Sequence, residues 1–295
     1  MIKQILGISI LCSLLSTSCT STKQKEIWSI GVPDTSAVEL QLGPDKYKEF
    51  LAHDFGYEDR FFLIGKDNAK EDFPYVLPGP NDVWAGTSGT AGWRTHDINL
   101  LFTLQNVAES GDTLEINLLD NSPVHPPLFK VNINDKQAHT FQLEAGGSDA
   151  SINGDISKAH PQQLIIPIEK GILQEGGNQI TLSVLQGSWV IFDHIGLKTS
   201  SKTKLIVPEK AYIRSVTAAS YEIQQDGKQV QPLLVDVEHL QGQPQLSVVL
   251  DGEDIYTTTL DTARYCLEVP MPAVITQQSS SYTIKVDGKT LQKGK

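Results

Sequence analysis

Apolar and polar residues alternate along most of this chain. Leu114-Glu115-Ile116-Asn117-Leu118, Phe129-Lys130-Val131-Asn132-Ile133 and Ile180-Thr181-Leu182-Ser183-Val184 each carry one apolar and one polar face, the period of a half-buried antiparallel strand. The same reading extends to Arg60 to Gly65, Ile98 to Leu104, His139 to Leu143, Gln163 to Ile168 and Trp189 to Leu197. Turn-forming residues separate these runs: Asn134-Asp135, Gly146-Gly147, Gly176-Gly177-Asn178 and Gly187-Ser188. Helix is confined to one short segment around Asp45 to Leu51. Many short strands without helices between them predict an all-β protein, beginning with a sandwich or jelly roll.

A small polar stretch, Thr199-Ser200-Ser201-Lys202, precedes a second set of strands: Leu205 to Val207, Val216 to Ile223, Leu233 to Leu240, Gln245 to Leu250, Ile255 to Leu260, Tyr265 to Val269 and Tyr282 to Val286. Asp226-Gly227, between Ile223 and Val230, signals a tight hairpin. The number and spacing of these strands fit an immunoglobulin-like β-sandwich that lacks the paired cysteines. The expected units are residues 27–199 and 203–292.

The N-terminus breaks the pattern. Lys3 precedes an apolar run from Ile5 to Leu15, too short to span a bilayer and suited to an export signal. Cys19 follows, and then the polar tract Thr20 to Glu26. The arrangement resembles a bacterial lipoprotein signal, with Thr17 and Ser18 where Ala or Gly is usual. It implies a signal peptide over 1–18, a lipid-bearing Cys19 and a tether over 19–26. An ordinary cleaved signal with an incidental Cys is the competing explanation. The expectation is an exported, lipid-anchored protein of the periplasm or cell surface, attached to the outer or inner membrane. Cys12 would leave with the signal, so Cys266 would be the one remaining thiol, read as a buried strand residue.

Charge excludes some partners. The 295 residues carry 24 Lys and Arg against 35 Asp and Glu, a net charge of -11. Without a basic cluster, nucleic acid is not an expected partner.

No catalytic signature emerges. Gly86-Thr87-Ser88-Gly89-Thr90 is not a nucleophile elbow, and the seven His are scattered without metal-ligand spacing. The informative region joins aromatic and polar residues around a Gly-rich loop with Gly86, Gly89 and Gly92. Trp84, Trp93, Arg94, His96 and Asp97 combine ring faces with hydroxyl-binding groups, the chemistry that holds sugars on loops of a rigid scaffold. The alternative is that the Trp plug one end of the sandwich while Arg94 pairs with a nearby acid. Asp149, Asn153 and Asp155 supply oxygen ligands that could hold a structural Ca²⁺, although Asx turns explain them too. No other cofactor is expected. Asp120 to Pro127 forms a rigid polar loop, Trp189 reads as a core residue, and Asp193 either bonds a loop or faces a pocket.

Three segments carry a family resemblance: Phe62 to Asn68 with Phe73-Pro74-Tyr75, Asn178 to Leu182, and Ser188 to Leu197. With Ile27-Trp28-Ser29-Ile30-Gly31, they resemble the third domain of family 4 polysaccharide lyases, the rhamnogalacturonan lyases. The resemblance covers Ile27 to Thr199 and implies a galactose-binding-like jelly roll related to carbohydrate-binding modules. Val32-Pro33-Asp34-Thr35 stands where that family has an Asp-Gly turn. The family's catalytic first domain has no counterpart here, so lyase activity is not implied. Followed by a second sandwich, the module also resembles the front portion of large exported glycosidases of Bacteroidetes. The expected function is non-catalytic binding of a polysaccharide or oligosaccharide within an exported polysaccharide-degrading system. Two alternatives stand beside it: a structural spacer for a glycosidase or lyase whose catalytic domain is missing, and catalysis at an unrecognised carboxylate site.

Overall fold

A computed structural model describes residues 24–53, 55, 59–87, 94–107, 111–271 and 280–295. The protein is all-β. The first half contains β1 (Gln24–Gly31), β2 (Arg60–Leu63), β3 (Val76–Leu77), β4 (Asp97–Gln105), β5 (Asp112–Asn121), β6 (Leu128–Ile133), β7 (Gln137–Gln142), β8 (Gln162–Ile168), β9 (Gly176–Gln186), β10 (Val190–Ser200) and β11 (Lys204–Ile206). One sheet runs β1-β10-β5-β8 with β3 on β10, and the other runs β11-β4-β9-β6-β7 with β2 on β4. Only the β2–β4 pair is parallel among these described strands.

Alternation decides which residues fill the space between the sheets. Ile98, Leu100, Phe102 and Leu104 of β4 are buried, as are Leu114, Ile116 and Leu118 of β5. Trp189 is buried as expected, and Phe62, Phe73, Phe192 and Phe129 form a chain of tilted and edge-on rings through the core. Asp193 settles on the loop-bonding role: its Oδ1 accepts from the backbone N–H groups of Asp34, Thr35 and Ser36. That carboxylate holds Thr35 at φ 65, so the turn forms without the expected Asp-Gly pair.

The second half contains β12 (Ala211–Ala218), β13 (Ile223–Gln225), β14 (Lys228–Val230), β15 (Pro232–His239), β16 (Gln245–Leu250), β17 (Glu253–Thr259), β18 (Arg264–Pro270), β19 (Tyr282–Val286) and β20 (Lys289–Gly294). Sheets of order β12-β15-β18 and β17-β16-β19-β20 enclose a core of Ile213, Val235, Val237, Val248, Leu260, Val269 and Ile284. Asp226-Gly227 turns the β13–β14 hairpin with φ 50 and 75, matching a turn in which both central residues need positive φ.

Four local expectations change. Leu205 hydrogen-bonds to β4 of the first sandwich and does not start the second set. The single strand read over Val216 to Ile223 is two, because the chain turns between Ala218 and Ile223. The segment around Asp45 to Leu51 winds into 3₁₀ turns at Tyr47–Glu49 and Leu51–His53, while the one short α-helix among the described residues is Ala69–Asp72, capped by Asn68. Cys266 lies on β18 but is exposed, since Leu267 and Val269 take the inward positions.

The two sandwiches meet on an apolar patch. Leu63 and Leu101 from the outer face of the second sheet pack against Tyr212 of β12, with Phe61 and Leu240 around them. This explains why Phe61-Phe62-Leu63-Ile64 fails to alternate: both faces of β2 are covered. Gly177 Nα donates to Gln292 Oε1 at 3.1 Å, a second tie across the interface.

Candidate carbohydrate-binding loop

The aromatic region sits at one end of the first sandwich. Asp82 is its anchor: the carboxylate accepts from the Gly79 backbone N–H at 2.7 Å and from the Ser188 hydroxyl, and the nearby Trp84 side chain helps to stabilise its charged form. Burial pushes the Asp82 carboxyl up to about 6, against the stabilising pull of those donors. Thr87 Oγ1 donates to the Asp82 carbonyl at 2.6 Å. Nearby, Asn81 Nα donates to the Gly187 carbonyl and Ser188 Nα to the His125 carbonyl. Two loops therefore meet on one buried carboxylate, a third is tied to them through Ser188, and together they present Val83 (68% exposed), Val124 (66% exposed) and His125 to solvent.

Trp84 is half-buried. Tyr47 and Phe50 meet its ring edge-on at centroid distances of 5.0 and 5.9 Å. Phe50 continues the cluster to Phe55 and His96, and the Arg60 guanidinium lies 4.2 Å from the Phe55 ring centre. Trp84 thus plugs the end of the sandwich while remaining partly exposed.

The other expected residues separate. Trp93 lies outside the described residues. Arg94 reaches Asp59, with Nη2 3.0 Å from Oδ1, the acid pairing raised as the alternative. His96 is buried at 3% exposure, and its Nε2 is 2.9 Å from the Ala85 carbonyl. A carbonyl only accepts, so Nε2 carries the proton; burial lowers the His96 pKa to about 4 and keeps the ring neutral. His96 therefore fixes the loop from beneath, which corrects its expected contact with a ligand. Asp97 starts β4 on the outer face of the sheet, where Ser183 Oγ donates to it and burial raises its pKa.

The Asp149–Asp155 segment is organised by a different carboxylate. Buried Asp120 accepts from the backbone N–H groups of Asn121, Gly147, Ser148 and His160, and from the Ser151 hydroxyl. A Cβ on Gly146 or Gly147 would collide with the Asn121 or Lys158 carbonyl, so glycine is required where the chain wraps this group. Asp149 and Asn153 lie in a 3₁₀ turn, while Asp155 Oδ1 caps the next one by accepting from Ser157 Nα. Among the described residues, no group of three or more His, Cys, Asp or Glu side chains is arranged to hold a metal ion.

Sequence reasoning missed Asp59, Tyr47, Phe50 and Arg60 as members of the aromatic end. They lie far from Trp84 in sequence, and only Asp82 gave a local signal, standing two residues before it.

Two facing sheets with an aromatic loop at one end define a β-sandwich of the carbohydrate-binding-module type. Residues 26–197 match the family model described as CBM-like, polysaccharide lyase family 4, domain III, and the chain belongs to that family. A rhamnogalacturonate lyase of Dickeya dadantii (strain 3937) is 29% identical over 171 residues, covering 58% of this chain and 27% of that protein. The chain thus spans about a quarter of that relative's length. Among solved structures, a GH2 β-galacturonidase from Eisenbergiella tayi aligns with 76% of this chain and 37% of its own, at 12% identity and a TM-score of 0.23. A putative β-galactosidase from Bacteroides fragilis aligns with 68% of this chain and 31% of its own, at 12% identity and a TM-score of 0.20.

Proposed function

We propose that this protein is a non-catalytic accessory of an exported polysaccharide-degrading system, binding a polysaccharide through the loops around Trp84. The observation that carries the reading is Asp82, a buried carboxylate that ties Gly79 and Ser188 to the turn carrying Trp84 and so preorganises that surface. Fixing the loops before a ligand arrives reduces the ordering entropy that binding must overcome. Trp84 and Trp93 supply ring faces and Arg94 supplies N–H donors to sugar hydroxyl oxygens. Membership of a CBM-like family supports carbohydrate as the ligand class, and the rhamnogalacturonate lyase relative makes pectic polymers the first to try. Within this proposal the lipid on Cys19 keeps the protein at the membrane. Retardation in native gels cast with rhamnogalacturonan tests it: wild type should be retarded, and Trp84→Ala and Trp93→Ala should migrate freely while remaining folded. Unchanged retardation of both variants would remove the loop from consideration.

The interlock of the two sandwiches favours a second reading. Leu63, Leu101 and Tyr212 bury a shared apolar patch, which suits a stiff spacer for a glycosidase or lyase. Co-purification with such an enzyme, together with silence across a pectin and glycosaminoglycan array, would favour the spacer.

A further inference from the structure

Beside the apolar patch, the two sandwiches leave a groove of about 460 Å³, within the size range of small-ligand sites. Lys136, Gln179 and Thr181 border it from the first sandwich, and Arg214, Thr217 and Tyr282 from the second. Arg214 occupies a register break in β12, between Ile213 and Ser215. Such a bulge re-aims the side chain it carries. Its guanidinium carbon lies 3.8 Å from the Phe61 ring centre, so the fork is held flat against the first sandwich.

The edges of that fork are poorly used. Its nearest acids, Asp236 and Glu238, stand 4.0 Å away, beyond hydrogen-bonding reach. Asp236 is instead gripped by Arg264, whose Nε and Nη2 lie 3.1 and 2.7 Å from its two oxygens. Burial, together with the neighbouring Arg264, disfavours the charged form of Arg214, and a carboxylate arriving in the groove would relieve that cost. The opposite wall is built for hydroxyls. Gln179 Nε2 donates to Asn99 Oδ1 at 2.8 Å and to Thr181 Oγ1 at 3.0 Å. Its Oε1 is thereby oriented and left without a partner among the described residues.

We propose that this groove is a second carbohydrate site, selective for acidic sugars, in which Arg214 pairs with the carboxylate of a uronate and Gln179 and Thr181 bond its ring hydroxyls. Lys136 adds positive charge at the rim. The inference rests on the carbohydrate-binding reading for its ligand class but uses none of the residues of the Trp84 loop. A paired guanidinium and carboxylate also give the groove a preference that stacking on Trp faces does not supply.

Calorimetric titration of the full chain with tetragalacturonate, and with galactotetraose as the neutral counterpart, tests the site. The expected result is binding of tetragalacturonate at least about tenfold tighter than galactotetraose. Arg214→Ala, and independently Thr217→Trp, which fills the groove from an exposed strand position, should each weaken tetragalacturonate binding about tenfold or more. Thr217→Trp decides the matter if Arg214→Ala fails to fold. Wild-type affinity in Thr217→Trp, or no binding of tetragalacturonate to the wild type, overturns the groove. Loss of binding in Trp93→Ala with full binding in Arg214→Ala also overturns it, and leaves the loop reading standing.

Discussion

The Tyr212 hydroxyl of the second sandwich lies 2.6 Å from the Asn178 carbonyl of the first, and 3.3 Å from that of Phe102. Its ring is fully buried between Leu63 and Leu101. One side chain therefore seals the interface with its apolar body and satisfies backbone acceptors with its tip. Tyr212→Phe removes the donor and strands a buried carbonyl, a loss of about 1–3 kcal/mol. A lowered denaturation midpoint, with the two sandwiches beginning to unfold separately, is the expected outcome in urea. Coincident wild-type transitions would deny the hydroxyl this role.

Asp120 offers a sharper loss. Asp120→Ala leaves four backbone N–H groups and the Ser151 hydroxyl without their acceptor. A cost of about 4 kcal/mol or more is expected, at the upper end for a single substitution. Amide exchange over residues 146–160 should accelerate before the rest of the sandwich is affected.

Asp112 should make stability depend on pH. It is buried, one of its oxygens has no partner among the described residues, and burial pushes its carboxyl up to about 6. A folded pKa above the unfolded one means that the native state binds more protons between about pH 4 and 6. The contribution of Asp112 to stability therefore falls as pH rises through that window and stays low above it. Asp112→Asn should raise the melting temperature at pH 7, by on the order of 1 kcal/mol of stability, and should bring no gain at pH 4.

The His96 pKa, lowered to about 4, works in the other direction. Above the unfolded value near 6.5 the neutral ring costs nothing, and the stability it contributes is lost as pH falls through its folded pKa. NMR titration of the His96 ring should show no protonation at pH 6. Protonation of His96 near pH 6.5 would place it at the surface.

Lipidation has its own test. Metabolic labelling of a bacterial host with an alkyne fatty acid should mark the wild type and leave Cys19→Ser unmarked and released from the membrane fraction. Labelling that persists in Cys19→Ser would overturn the anchor.

Much of the fold is legible from period two alone, because a strand with one buried face must alternate. Leu114 to Leu118 and Ile180 to Val184 lie in strands where that pattern places them. The failures are equally physical. Phe61 to Ile64 does not alternate because a second domain covers its outer face, and alternation cannot announce a partner. The Val216 to Ile223 run was apolar enough for one strand, yet the chain turns within it. In the aromatic loop, composition pointed to Trp84 and His96 together, but burial distinguishes a half-open ring from a histidine spent on the Ala85 carbonyl.

The sequence by itself determined the all-β class, the hairpin at Asp226-Gly227 and the aromatic, Gly-rich character of one loop. These are local properties, fixed by side-chain period and backbone freedom. Only the tertiary structure decided that Asp82 anchors Ser188 from a distant loop, that Asp120 gathers donors from residues 147–160, and that Arg214 faces a groove between sandwiches. Each of those depends on contacts between residues far apart in the chain, set by how two sheets stack and two sandwiches meet, and no local pattern records them.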